Sequence, residues 1–152
     1  MKRAFTIAKM QKEKQLVFGW ANVAVKADGT VVEDLQSDSI TPEELEEAAY
    51  EHVLSFRSTG ECHDPDLREK GRLVESIVFT NEKMEAMQIP FGILPQGWWV
   101  GYKIDDLQTW EKIKRGEYSM FSIEGIGERF PVEKQYKAKL FYDIYNRQKK
   151  KF

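Results

Sequence analysis

Hydrophobic residues along this chain recur every second position in some stretches and every three to four positions in others. The first pattern, rich in β-branched and aromatic residues, predicts strands over 4–8, Leu16–Val25, 72–79, 98–104 and a short piece within 116–125. Asp28-Gly29 predicts a tight turn, after which 30–32 returns as a hairpin arm. Gly19, in the middle of the second strand, predicts a bulge or a sharp bend.

A helical period begins at Thr41-Pro42-Glu43-Glu44, the clearest local signal in the chain. Thr41 can cap the first free amides, Pro42 fits the first turn, and Glu44 completes a capping box. We expect this helix to end near residue 56 or 57. Its predicted buried stripe consists of Leu45, Ala49, Val53 and Phe56, with Ala48 and His52 at the edge.

Two shorter helices are predicted beside the later strands. One covers 81–87 with Asn81 as its cap, and the other covers about 106–115, is capped by Asp105 or Asp106, and carries Leu107, Trp110 and Ile113. Gly116 is the residue type that lets a helix stop in a left-handed turn. Together these elements predict an α+β fold, in which a small bent β-sheet or partial β-barrel is flanked by helices.

Length and charge limit the classes of protein to consider. The 152 residues suffice for one domain with a real core, and a net charge of -2 argues against a general nucleic-acid binder. Cys62 is the single cysteine, so no internal disulfide is possible and a reducing, intracellular setting fits best. We find no apolar run that would span a bilayer and no signal-peptide pattern. We predict a domain over 1–131 and a basic C-terminal helix over 132–152, packed on the domain or extending from it.

Candidate chemistry centres on one serine and one histidine. Ser119 and Ser122 lie three residues apart, so a regular strand places them on opposite faces and only one can face a given site. We expect Phe121 to point one way and Met120 the other. A serine attacks a carbonyl only when a base takes its proton, and His63, in a polar loop, is the candidate base. Carboxylates that could orient its imidazole are Asp34, Asp38, Asp64 and Glu124.

Each of these residues also has a purely structural interpretation. His52 fits a partly buried helix residue, and a loop histidine such as His63 is often only a surface residue. Asp34 and Asp38 could serve as turn and pre-cap residues, and Glu124 as a solvated strand residue. A metal site at Cys62-His63-Asp64 is cramped, and a nucleophilic Cys62 would need a base that is not its own neighbour. The spacing alone therefore does not define an active site.

Several segments follow one another along the chain in a distinctive order: Val17-Phe18-Gly19-Trp20-Ala21-Asn22-Val23, the run from Asp34 to Leu45, Ala48-Ala49-Tyr50, Gly60-Glu61-Cys62-His63-Asp64, Gly71-Arg72-Leu73-Val74-Glu75-Ser76, Gly97-Trp98-Trp99-Val100-Gly101, Trp110-Glu111-Lys112-Ile113-Lys114 and Phe121-Ser122-Ile123-Glu124-Gly125. Together these segments resemble the XkdF-like family of phage serine proteases, which belong with the prohead (procapsid maturation) proteases. The wider group resembles the herpesvirus assemblin proteases in fold. The resemblance therefore implies a bent, barrel-like β core with helices outside it.

Site residues follow from this resemblance by position. His63 matches the family's catalytic histidine and Ser122 its nucleophile, whereas Ser119 has no counterpart. Some related proteases take a third member from an aspartate before the first helix, which points to Asp38 and secondarily to Asp34. The family usually has glycine where this chain has Ser37, so we expect the local turn to differ.

Two further departures from the family concern the residue before the histidine and the segment after the serine strand. The family's histidine is not usually preceded by cysteine, and relatives follow the serine strand with another strand. Here a helical, lysine-rich end is predicted instead, so a partner subunit could complete the barrel as a homodimer.

The function implied is a phage prohead serine endopeptidase that cleaves scaffold, the capsid protein's N-terminal region or itself. It would act inside the procapsid in the host bacterial cytoplasm, with capsid and scaffold proteins as partners and with no cofactor, specific nucleic acid or membrane. The rival hypothesis is a non-catalytic scaffold- or capsid-binding module that makes contact through the basic C-terminal helix. A third is a metal-dependent hydrolase that uses His63 and Asp64.

Overall fold

A computed structural model describes residues 4–34, 37–61 and 64–122, with side chains except at 4–6, 65 and 122. Within these ranges the chain forms six strands and three α-helices. Their order is β1 (Ala4–Gln11), β2 (Leu16–Val25), α1 (Pro42–Glu51), β3 (Ser58–Thr59), β4 (Gly71–Phe79), α2 (Asn81–Ala86), β5 (Gln96–Ile104), α3 (Leu107–Lys114) and β6 (Met120–Ser122). Predicted strand 16–25 is confirmed to the residue, and the predicted α+β class is confirmed. The predicted C-terminal helix over 132–152 lies outside the described residues.

The strands form one antiparallel sheet in the order β3-β4-β5-β2-β1-β6. Among the described strands, β3 and β6 are the two edges, so the sheet is open and not a closed barrel. It is nevertheless strongly bent. The rings of Tyr102 in β5 and Phe121 in β6 lie 6.0 Å apart, although three strand spacings on a flat sheet would separate their strands by about 14 Å.

One face of the sheet carries the core. Val17, Trp98, Val100, Tyr102 and Ile104 point to this face and pack with α1 and α3, because successive strand residues alternate between faces. From the helices, Leu45 and Ala49 of α1 and Trp110 and Ile113 of α3 complete the core.

The opposite face carries partly covered aromatic rings. Trp20 meets Trp99 edge-on at 5.4 Å and Phe79 at 5.7 Å between ring centroids. A Cβ at Gly101 would lie 2.7 Å from the ring of Phe18, so the close approach of that ring requires glycine there. Trp98 thus lies on the core face and Trp99 on this one.

The start of α1 forms as predicted. Thr41 Oγ1 accepts from the Glu44 amide at 3.2 Å, and a Glu44 carboxylate oxygen accepts from the Thr41 amide at 2.8 Å. After Glu51 the helix widens into a π-helical turn, His52–Phe56, which ends at Arg57. The prediction that Phe56 is buried is wrong, since 62% of it is exposed. The wider turn rotates residues after Glu51 out of the α-helical stripe.

Other differences from the predicted elements are local. Strand β1 continues to Gln11, past the predicted 4–8, because it pairs with β2 along that length. Thr80, and not Asn81, caps α2 through its hydroxyl. Leu107 opens α3 on the solvent side and is 69% exposed. Register shifts lie near Gly19, between Ile7 and Lys9 on the neighbouring strand.

The hairpin after β2 is short. Gly29 adopts a φ of 87°, and the returning arm makes one bridge, between Val25 and Val31. Within the described ranges, no helix has the length and apolar character needed to cross a bilayer.

Candidate active site

Ser122 lies at the end of β6, the edge strand that pairs with the start of the chain. The pairs are Ala4 with Ser122 and Thr6 with Met120, and the Ile7 amide donates to the Ser119 carbonyl at 2.7 Å. The strand follows α3 after a connection of five residues, 115–119. Gly116 adopts a φ of 79° and its amide donates to the Ile113 carbonyl at 3.0 Å, which confirms the predicted helix stop.

Side chains of β6 alternate as predicted where they are described. Phe121 packs against the core beside Tyr102, whereas 55% of Met120 is exposed. Ser119 is exposed. The side chain of Ser122 lies outside the described part, so its assignment as nucleophile stays a prediction.

His63, together with Cys62, lies outside the described residues, but both flanks of the pair are described. Glu61 and Asp64 are hydrogen-bonded to each other, since the Asp64 amide donates to the Glu61 carbonyl at 2.9 Å. The Asp64 carboxylate accepts from the Asp66 amide at 2.9 Å and caps a short 3₁₀ turn. A Cβ at Gly60 would lie 2.7 Å from the Leu67 carbonyl oxygen, so this approach requires glycine.

Asp34 and Asp38 face each other across a turn before α1. The Asp38 amide donates to Asp34 Oδ1 at 2.9 Å, and the Asp34 amide donates to the Asp38 carbonyl at 2.9 Å. Ser37 has a φ of 61°, the left-handed conformation that glycine adopts most easily. The turn therefore has the backbone that glycine favours, despite the serine. Asp34 already supports this turn through its carboxylate, while Asp38 stays the predicted third member.

A buried glutamate that we did not predict as a site residue stands two residues before His63 in the sequence. Glu61 is only 4% exposed. Lys112 Nζ and the Tyr118 hydroxyl both donate to its Oε2, each at 2.8 Å. The Thr109 hydroxyl contacts its Oε1 and also lies 2.7 Å from Asp106 Oδ1. Because a hydroxyl carries one proton, Thr109 donates to one of the two carboxylates at a time.

The electrostatics of this cluster favour a charged glutamate. Burial is the largest single influence and by itself would raise the pKa of Glu61. Hydrogen bonds from Lys112, Thr109 and Tyr118 together outweigh burial, so the pKa lies below its ordinary value. The same contacts, with Glu61 first and Tyr118 second, raise the pKa of Lys112. The pair is therefore ionised near neutral pH.

The Glu61 cluster joins the two ends of the sheet. Glu61 follows the edge strand β3 and stands two residues before His63, whereas Tyr118 stands four residues before Ser122 near the other edge. The hydrogen bond between their side chains therefore connects the two chain segments that carry the predicted catalytic pair. A single acidic residue beside Gly60 gave no pattern from which this contact could be predicted.

His52, the other histidine, has a structural setting. Its Nε2 lies 2.8 Å from the Tyr102 hydroxyl, and its ring meets the edge of Trp98 at 5.4 Å. Burial lowers the pKa of His52, which favours the neutral imidazole. The prediction of a partly buried helix residue is confirmed.

In the described ranges no group of three or more potential ligand residues could hold a metal ion. The hypothesis of a metal site at His63 and Asp64 falls partly outside these ranges, because His63 is not among the described residues.

Comparison with known proteins identifies the class to which this domain belongs. Residues 4–131 match the family model described as "Putative phage serine protease XkdF". Because the match covers most of the chain, the protein belongs to this family, and the resemblance predicted from the sequence is confirmed. Comparisons with curated proteins and with solved structures gave no significant match.

Proposed function

We propose that this protein is a serine endopeptidase in which Ser122 is the nucleophile and His63 is its base. Membership in the XkdF family carries this proposal. The Ser122 hydroxyl would give its proton to His63 as its oxygen bonds to the scissile carbonyl carbon. His63 would then protonate the leaving amine, and water would hydrolyse the acyl-enzyme by the same route in reverse.

Two further groups complete the proposed mechanism. Asp38 would orient the imidazole and stabilise its charged form, with Asp34, Asp64 and Glu124 as the alternatives. Backbone amides in the glycine-containing segment after Glu124 would donate to the oxyanion. The chemistry requires no cofactor.

We further propose that the substrates are scaffold protein, the N-terminal region of the capsid protein, or the protease itself. Cleavage would take place inside the procapsid, in the host bacterial cytoplasm. Support for this setting comes from the phage origin in the family description and from the resemblance to prohead proteases.

Co-expression with the capsid and scaffold proteins of the same phage module tests this function. Wild type, Ser122→Ala and Ser119→Ala are compared, and products are measured by intact mass. We expect fragments with wild type and Ser119→Ala but none with Ser122→Ala. Loss of fragments in Ser119→Ala alone would reassign the nucleophile, and no fragments from any variant would contradict the proposal.

A second candidate function is a binding module, and an exposed apolar surface favours it. Leu54, Phe56 and Val74 are 71%, 62% and 50% exposed. Beyond its two residues paired with β3, β4 has no other strand on that side in the described part of the chain. An apolar groove of about 350 Å³ runs between β4 and the end of α1. An exposed edge beside an apolar groove suits an extended peptide that adds as a strand.

The expected partner is an extended segment of scaffold or capsid protein, or of a second subunit. If this function holds, Leu54→Asp or neutralisation of lysines 149–151 will block procapsid assembly, while Ser122→Ala will not. The proposed protease instead predicts that Ser122→Ala abolishes the fragments and that Leu54→Asp leaves assembly intact, so measuring both cleavage and assembly in one set of variants separates the two functions.

A further inference from the structure

The Glu61 carboxylate is a buried charge for which the proposed chemistry has no use. Its side chain is 3% exposed, against 32% for Lys112. Buried ion pairs are often no more stabilising than apolar residues of the same size, because desolvation offsets much of the attraction. What such a pair provides is a defined geometry between the elements that it joins.

We propose that Glu61 is a positioning residue that fixes the His63 segment against the Ser122 segment through Lys112 and Tyr118. This inference rests on the proposed function. Its physical basis is the short chain length on either side of the contact. His63 stands two residues after Glu61, and Ser122 stands four residues after Tyr118. Two residues span at most about 7 Å and four at most about 14 Å, so a contact between Glu61 and Tyr118 limits how far His63 and Ser122 can lie from each other.

Sheet pairing cannot provide the same restraint. Among the described strands, β3 and β6 are the opposite edges of the sheet, with four strands between them. Small changes in twist between neighbouring strands therefore add up across the sheet. A direct hydrogen bond from Tyr118 to Glu61 restrains the distance between the two segments that carry the proposed nucleophile and its base.

The groups around Glu61 keep its carboxylate ionised and hold it in place by hydrogen bonds. Lys112 and Thr109 approach it from α3, and Tyr118 approaches from the segment that follows. Asp106 shares the Thr109 hydroxyl with Glu61, and Lys70 Nζ lies 3.5 Å from Asp106 Oδ2. Two cations thus accompany two carboxylates at this contact.

The chain offers a matched control with the same three residue types. On the surface, the Glu46 carboxylate of α1 accepts from Lys83 of α2 and, at 2.8 Å, from the Tyr50 hydroxyl. The Glu46 side chain is 27% exposed, and this cluster joins α1 to α2. Substitutions there report the effect of losing a similar contact outside the Glu61 cluster.

The test compares Tyr118→Phe and Glu61→Ala, which remove the contact, with Tyr50→Phe and Glu46→Ala in the full chain. The rate at which a fluorophosphonate probe labels Ser122 is followed by intact mass, well below the melting temperature. We expect labelling to slow by about tenfold or more in the first pair and to stay unchanged in the second, because small misplacements of reacting groups reduce rates strongly. Equal labelling rates in all four variants and wild type would overturn the proposal.

A second measurement separates this inference from the proposed function. Amide hydrogen exchange is followed in peptides covering 58–61 and 116–120. The inference predicts that Tyr118→Phe speeds exchange in both segments and that Tyr50→Phe speeds it in neither. If wild type is not labelled at Ser122, the protease proposal fails, and exchange still decides whether Glu61 couples the segments. Faster exchange in only one segment, or in neither, would refute the coupling.

Discussion

Replacing Glu61 with glutamine removes one buried charge and keeps the shape of the side chain. The amide oxygen can take the place of Oε2 and accept from Lys112 and Tyr118. The amide nitrogen can take the place of Oε1 and donate to Thr109, whose hydroxyl then donates to Asp106. The number of hydrogen bonds is therefore conserved, and the substitution measures the contribution of the charge.

The magnitude of the loss follows from the types of hydrogen bond involved. Bonds to a charged group contribute about 1.5–3 kcal/mol and neutral ones about 0.5–1.5, so Glu61→Gln should destabilise the fold by about 1–2 kcal/mol. Removing one partner of a fully buried pair can cost about 3–5 kcal/mol, but Lys112 is one-third exposed and can recover water. The expected fall in melting temperature is roughly 2 to 8 °C for a chain of this size.

Differential scanning calorimetry of wild type, Glu61→Gln and Glu46→Gln measures this difference. Glu46→Gln should change stability by less than about 1 kcal/mol, since its ion pair is partly solvated. The pKa of Glu61 lies below its ordinary value, so its contribution is complete above pH 4.5 and is lost as the pH falls through the folded-state value. The difference from Glu61→Gln should therefore shrink in acid. Equal melting temperatures for both variants, or a difference that grows in acid, would refute the account.

Three further predictions concern the fold. Burial lowers the pKa of His52 below 6.5, so the stability of the wild type should fall as the pH drops below that value. Glutamine at position 52 can still form a hydrogen bond with Tyr102 but does not titrate. In urea unfolding between about pH 5 and pH 7, His52→Gln should therefore depend less on pH than the wild type. Gly101→Ala should destabilise by about 1–3 kcal/mol in thermal unfolding, because the new Cβ meets the Phe18 ring; an unchanged melting temperature would show that the ring moves aside. Thr41→Ala should cost about 1 kcal/mol by the same assay through loss of the cap of α1, and no loss would mean that water replaces the hydroxyl.

Local signals in the sequence predicted most of the secondary structure. The capping box at Thr41 and the left-handed stop at Gly116 depend on neighbours within a few residues, and both form as predicted. Errors arose where tertiary structure changed a local pattern. The π-helical turn after Glu51 exposes Phe56, and the pairing of β1 with β2 extends the strand to Gln11.

The candidate site could be predicted only in part, since its members come from distant segments. Ser122 and His63 were identified through the family resemblance, which the family match supports without testing individual residues. Glu61 was not identified, because its role depends on Thr109, Lys112 and Tyr118, which are 48 to 57 residues away. An isolated glutamate in a loop has no periodicity that would indicate burial.

The central claim is that Ser122 is a nucleophile activated by His63, and covalent trapping tests it most directly. Wild type, Ser119→Ala and His63→Gln are treated with a fluorophosphonate, and the adduct is located by peptide mapping. The account predicts an adduct on Ser122 in wild type and Ser119→Ala, and a large loss of labelling in His63→Gln. An adduct on Ser119, no adduct at all, or labelling that is indifferent to His63→Gln would contradict it.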